Sequence, residues 1–378
     1  MIKELSSVIE ELVEKGKFPK KAIAQSMKET GKKTIGCFPI YTPEEIIYAA
    51  GMLPVGLWGG NTETSRVDKY LPSFCCSVMK VNMELGMRGS YDILSAVVIP
   101  AYCDSMRAVL ADFQLAVPQL EVIGMVYPQN RLEKPATDYM VCKFEVMQEK
   151  MERIGETVIT DEDLERAFQI YEDYRSTMRE FVAIAKEYPK TINAKVRHYI
   201  IKAAFYMDKP VYTQKVRRII ELLKDMPKET ARLNVVATGL ILEPEALLDI
   251  FVENEIAIVE DDFAQESRQF RTLTRQDEGS VYEKMAWRII DLKGCTFFYE
   301  EQKSKGDMLI EMYKRNNADL VLSCIFKFCD PEEFDYPVYK KELEQAGVPL
   351  MYMEIDQVMD SVEQLRTRLQ SAVEIYGR

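Results

Sequence analysis

Residues 320–337, LVLSCIFKFCDPEEFDYP, change from one kind of structure to another within a few positions. The run 320–328 is apolar and aromatic, the composition of a buried strand. Asp330-Pro331-Glu332-Glu333 then reads as a helix start. Asp330 is a good N-cap, proline has no N–H to leave orphaned in the first turn, and carboxylates there face the positive end of the helix dipole. A strand that hands directly to a helix is the repeating step of a parallel α/β sheet. Cys329 stands at the step, where it could pack, act as a nucleophile or serve as a ligand.

The same step recurs on both sides of a long interruption. Strand-like runs occur at 34–41 (TIGCFPIY), 52–58 (MLPVGLW), 96–102 (AVVIPAY) and 122–128 (VIGMVYP). A second series follows at 234–242 (NVVATGLIL), 256–262 (IAIVEDD), 295–300 (CTFFYE), 320–328 and 349–356 (PLMYMEID). Residues 143–229 are charged, with apolar positions at three- and four-residue spacing, which predicts helices and no strand. The expected architecture is α/β, with two similar, mostly parallel-sheet lobes, 1–142 and 230–378, and a helical connecting segment, 143–229. Thr42-Pro43-Glu44-Glu45 and Glu243-Pro244-Glu245-Ala246 repeat the helix-start pattern, with Thr42 as a second N-cap. Their glutamates, like Glu332 and Glu333, read as helix-start charges rather than catalytic acids.

Composition removes several classes of function. At 378 residues the chain exceeds one ordinary core and fits two domains. It carries 49 Lys and Arg against 61 Asp and Glu, with no basic block, so nucleic acid is not an expected partner. No apolar run is long enough to span a membrane, and the N-terminal MIKELSSVIEELVEKGKF is a charged amphipathic helix rather than a leader; a soluble, cytoplasmic protein is expected. With 8 cysteines and no secretion signal, structural disulfides are not expected. The single histidine, His198, rules out a two-histidine metal site and is expected at the surface or in packing.

The cysteines fall into two groups. Cys103 ends the run 96–102 and precedes Asp104-Ser105, both capable caps. Cys329 ends 320–328, and Cys75 and Cys76 occupy the second and third positions of a helix capped by Ser73. Helix N-termini offer free N–H groups and partial positive charge, which favour thiolate and bound anions, and in open α/β sheets they gather at the strands' carboxyl edge. Three such thiols without a histidine suit a soft metal or an iron–sulfur cluster better than a hydrolytic zinc ion. Periodicity cannot choose between Cys75 and Cys76, and for Cys103 and Cys329 packing stands beside ligation as a reading. Cys37, Cys142, Cys295 and Cys324 lie in apolar strands or helices and read as packing. Asp261, Asp262, Glu266, Arg268 and Arg271 form either a shell around a site, a partner-facing segment or a solvated loop. Tyr41, Trp58, Gly59 and Gly60 read equally as cleft or packing residues.

Five segments, in order, carry a resemblance: 30–60 (TGKKTIGCFPIYTPEEIIYAAGMLPVGLWGG), 71–80 (LPSFCCSVMK), 127–131 (YPQNR), 260–271 (EDDFAQESRQFR) and 327–337 (KFCDPEEFDYP). Together they resemble the 2-hydroxyacyl-CoA dehydratase family, in particular its smaller, beta, subunit; benzoyl-CoA reductase subunits are related. The resemblance implies a heterodimer in which each subunit holds one [4Fe-4S] cluster at the interface of two Rossmann-like or flavodoxin-like parallel-sheet lobes. By position in the motifs, it puts the three cluster ligands on Cys76, Cys103 and Cys329. Cys75 falls where the family often has alanine, and Cys324 at a variable position. The reaction implied begins when one electron enters the thioester carbonyl of an (R)-2-hydroxyacyl-CoA. The resulting ketyl radical anion expels the 2-hydroxyl, and the β-hydrogen becomes acidic enough to remove. The implied partners are an alpha subunit, which binds most of the acyl-CoA, and an ATP-dependent iron–sulfur activator protein. No catalytic base is assigned to this chain. The alternative is a cluster-bearing reductase subunit of the benzoyl-CoA reductase type.

Overall fold

The computed structural model describes residues 2–359 and 361–377. Two four-stranded sheets, parallel throughout, form its frame. The first contains β1 (Thr34–Cys37), β2 (Leu53–Gly56), β3 (Ala96–Pro100) and β4 (Glu121–Met125), in the order β2-β1-β3-β4. The second contains β5 (Leu233–Gly239), β6 (Ile256–Phe263), β7 (Leu320–Phe326) and β8 (Leu350–Ile355), in the order β6-β5-β7-β8. The two orders are the same. In each sheet the chain runs outward one way from the first strand and then the other, leaving a crevice at the carboxyl ends of the two central strands. Every residue of β7 is buried, which is why 320–326 reads as an unbroken apolar run rather than an alternating one.

The segment between the sheets is helical, as expected: Asp161–Ala185, Ala194–Ala203 and Lys209–Lys224. Thr160 and Asp163 close a reciprocal capping box at the first of these. The N-terminal helix Ile2–Lys17 packs with this segment, placing Leu5, Ile9 and Leu12 in the same apolar cluster as Phe181, Ile200 and Tyr212.

Several expectations need correction. Residues 295–300 are not a strand; they form turns, with the Phe298 N–H bonded to Cys295 O and the Tyr299 N–H to Gln129 O. Their aromatics are used between the lobes instead: Phe298 stacks on Tyr41 and meets Tyr102 edge to face. Cys142 is exposed on the helix Ala136–Gly155 rather than buried. Thr42 caps nothing; its hydroxyl donates to Phe38 O, and Pro43 takes the cap position of the helix Glu44–Ala49.

Buried ion pairs join the three parts. Arg131 is 1% exposed and reaches across to Glu300 and to Leu292 O, at 2.5 Å each. Glu45 receives Arg175 from the helical segment at 2.8 Å and Arg288 from the second lobe at 2.9 Å, and its pKa lies at about 2 because these two cations outweigh the cost of burial.

Candidate functional site

The two crevices face each other, and the cavity between them collects chain from both sheets. Its wall includes Pro39 and Ile40 beyond β1, Trp58 beyond β2, and Leu240 and Ile241 beyond β5. Cys76, Cys103 and Cys329 line the same cavity. Cys75 is 3% exposed and is not part of the wall, and Cys324 is wholly buried within β7.

Each of the three cysteines is itself the N-cap residue of a helix. Cys76 precedes Ser77–Met87, Cys103 precedes Asp104–Ala116, and Cys329 precedes Asp330–Gln345. This differs from the expectation of caps at Ser73, Asp104 or Ser105, and Asp330. The helix at Cys76 begins three positions later than expected, and those at Cys103 and Cys329 begin one or two positions earlier; each shift leaves the thiol beside the unpaired N–H groups of the first turn. The residue before Cys329, Phe328, has φ 64°, a left-handed conformation costly for a bulky side chain, and it too lines the cavity.

The electrostatics of the three thiols favour the protonated form while they face only one another. The neighbouring Cys75 thiol, burial and the proximity of Cys329 raise the Cys76 pKa. Burial, then the Glu332 carboxylate and Cys103, raise that of Cys329, and burial raises that of Cys103. Helix-terminal N–H groups act the other way: Met79 on Cys76, Met106 and Ser105 on Cys103, Glu332 on Cys329. Three thiolates here would repel unless a cation lay between them, so a cationic centre that binds them must displace their protons. Cys75 is the exception; hydrogen bonding from Cys76 lowers its pKa to about 7 despite burial.

Among the described residues no three His, Cys, Asp or Glu side chains stand close enough to hold a single metal ion. An iron–sulfur cluster would ask for thiolate ligands rather than carboxylates. The donor set fits that description: three thiols from three segments, with Asp330 the sole carboxylate in the wall among the described residues.

Beneath Cys329 lies an ion network that the sequence concealed. Glu332, a helix-start charge as expected, is also fully buried and accepts from Lys305 at 3.0 Å, Arg268 at 3.2 Å and Thr296 at 3.1 Å. Arg268, also fully buried, donates to Asp262 Oδ2 at 2.9 Å and to Asp262 O at 2.8 Å. Burial alone would push both carboxyls up. The cations instead hold Glu332 low and Asp262 at about 2, so both are charged at neutral pH. A second buried set joins Asp261 and Glu266 to Arg197, with Ser267 on Asp261 and His198 on Glu266. The solvated-loop and partner-facing readings of Asp261, Asp262, Glu266 and Arg268 therefore fail. His198 is likewise buried between carboxylates, 1% exposed.

Two further residues were missed. Cys295, read as packing, lies 3.0 Å from the Tyr41 hydroxyl, a contact between the lobes. Tyr102, beside Cys103, stacks on Tyr127 with centroids 5.0 Å apart. Nothing local distinguishes either residue in the sequence; both contacts join segments more than 20 positions apart.

Comparison with known proteins follows this geometry. A family profile described as 2-hydroxyglutaryl-CoA dehydratase, D-component, matches residues 39–376. The chain is 42% identical over 354 residues to the (R)-phenyllactyl-CoA dehydratase beta subunit of Clostridium sporogenes, covering 93% of this chain and 94% of that one. It is 40% identical to the lactoyl-CoA dehydratase subunit beta of Anaerotignum propionicum over 98% of this chain and 99% of that one. The (R)-2-hydroxyglutaryl-CoA dehydratase subunit beta of Acidaminococcus fermentans is 31% identical over the same shares.

Proposed function

Because the chain belongs to the 2-hydroxyglutaryl-CoA dehydratase D-component family, we propose that it is the beta subunit of an oxygen-sensitive (R)-2-hydroxyacyl-CoA dehydratase, a hydro-lyase. In this reading Cys76, Cys103 and Cys329 hold a [4Fe-4S] cluster. The observation that carries the reading is the meeting of these three N-cap thiols in one cavity at the facing strand ends of the two sheets. When bound, such a cluster supplies a low-potential electron for the elimination of water from a 2-hydroxyacyl-CoA.

The chain's own residues do three things. The helix N-termini at Cys76, Cys103 and Cys329 offset thiolate charge. Trp58, Ile40, Leu240 and Phe297 keep water from the sulfurs. The buried ion pairs fix the lobes that bring the thiols together. Asp330, the sole carboxylate in the cavity wall among the described residues, is exposed, and no substrate base is assigned to this chain; the alpha subunit takes most of the acyl-CoA. The electron comes from an ATP-dependent iron–sulfur activator.

Anaerobic reconstitution with iron and sulfide tests the assignment. The wild-type chain should bind about four irons. Cys76→Ala, Cys103→Ala and Cys329→Ala should each lose the cluster, whereas Cys75→Ala and Cys324→Ala should keep it. A chain that stays iron-free after reconstitution refutes the reading. With the alpha subunit and activator present, an enoyl-CoA product from a 2-hydroxyacyl-CoA separates a dehydratase from a reductase of aromatic acyl-CoA.

A further inference from the structure

The network under Cys329 gathers buried charges of both signs beside the site. Arg268, Arg271 and Lys305 face Asp262 and Glu332, three cations against two carboxylates, which leaves one positive charge in surplus. Four of these five are at most 3% exposed at the side chain, so water screens them little. The network also has a fixed position relative to the site. Glu332 lies in the first turn after Cys329 and its N–H donates to Cys329 O at 3.0 Å. Arg268 reaches from Glu332 to Gly239 O, at the carboxyl end of β5, beside the cavity residues Leu240 and Ile241. Thr296, the third donor to Glu332, adjoins the cavity residue Phe297.

We propose that Arg268 and Lys305, opposed by Glu332, set the reduction potential of the group held by Cys76, Cys103 and Cys329. This rests on the cluster reading above. Reduction adds one negative charge to a centre that three thiolates already make negative, and the centre's net charge and surroundings govern its potential. Buried cations nearby therefore favour the reduced form, and a buried carboxylate next to Cys329 disfavours it. The arginine acts through its field and through Glu332, not by touching the reacting atoms. The network thus holds two opposed settings, and removing either sign of charge shifts the potential in a known direction.

The experiment is a potentiometric EPR titration of the full-length chain after anaerobic reconstitution, with iron and sulfide content and circular dichroism recorded for every variant. Arg268→Gln and Lys305→Met should lower the midpoint by at least a tenfold change in the redox equilibrium, about 59 mV for one electron. Glu332→Gln should raise it. Arg268→Lys keeps the charge but loses the planar fork, so its midpoint should stay closer to wild type than that of Arg268→Gln. Lys305→Met carries the test where Arg268→Gln fails to fold. Folded, cluster-bearing Lys305→Met with a wild-type midpoint overturns the proposal, as do shifts of one sign for Lys305→Met and Glu332→Gln. A wild-type chain that binds no iron fails the cysteine assignment instead, and the two failures are thereby distinct.

Discussion

His198 has a carboxylate on each side: Nδ1 lies 3.0 Å from Glu266 Oε1 and Nε2 lies 3.7 Å from Glu243 Oε1. Burial pushes its pKa down, but the two carboxylates outweigh that and hold it above the ordinary value. A raised folded pKa gives stability that is complete below the unfolded pKa of about 6.5 and lost as pH rises through the folded value. Urea unfolding of wild type and His198→Gln at several pH values should show the wild-type advantage largest near pH 6 and shrinking as the medium becomes alkaline; an advantage that grows with pH contradicts the arrangement. Arg131 acts at neutral pH, where Glu300 is charged; its removal leaves that carboxylate with Ser304 and Gly294 but no cation, and takes a donor from the Leu292 carbonyl. Arg131→Met should cost about 3–5 kcal/mol in the same assay, the range for breaking one side of a buried pair. Neither residue's burial could be read from the sequence. A histidine in AKVRHYII and an arginine in YPQNR carry no local mark of what faces them, and Glu332 fits the helix-start pattern so well that its second role is hidden. Cys103 and Cys329 were easier to place because a residue that ends a strand run and precedes a helix start must lie at the sheet's carboxyl edge; Cys76 ends no such run, and only the family resemblance separated it from Cys75.

At the level of elements, strands were readable where a buried parallel sheet demands continuous apolar runs and a helix follows at once. Such runs mark all eight strands of the two sheets, with ends shifted by a few residues. The run 295–300 misled because apolar aromatics satisfy packing between lobes as readily as they satisfy a strand. Helix caps were misplaced for a related reason: serine and aspartate are better caps than cysteine, yet here cysteine occupies the cap. One glycine ties an element to the site. Gly239 ends β5 at φ 150°, and a Cβ there would stand 2.0 Å from Cys324 O on the neighbouring β7. Gly239→Ala must part the two central strands where Arg268 bonds the Gly239 carbonyl. A loss of about 1–3 kcal/mol is expected from the overpacking, measured by denaturant midpoint, together with weaker iron retention than wild type. An alanine variant of wild-type stability contradicts the close approach.

The whole molecule works as two sheets clasped so that their crevices share one cavity, and the clasp near that cavity is Gln357. It is 2% exposed and follows β8, yet its Nε2 donates to Trp58 O at 2.7 Å and to Glu243 Oε2 at 2.8 Å, while its Oε1 accepts the Gly60 N–H at 3.3 Å. One side chain of the second lobe thus satisfies backbone groups of the first, beside Trp58 in the cavity wall. The sequence gives no hint of this, because the bonded residues are some 300 positions apart and each is ordinary in its own segment. Replacing Gln357 with Leu keeps the volume but leaves buried donors and acceptors without partners, at a cost of about 1–3 kcal/mol for each unsatisfied group. Because the sheets keep their own ladders, the loss should appear as local opening and not as uniform softening. Hydrogen exchange should therefore accelerate at residues 57–60 and near Glu243, while amides in β3 and β7 keep their protection. If exchange rises equally in β3 and β7, the clasp is part of global stability and the lobes do not open about it. If exchange is unchanged at 57–60, other contacts hold the lobes and Gln357 is dispensable.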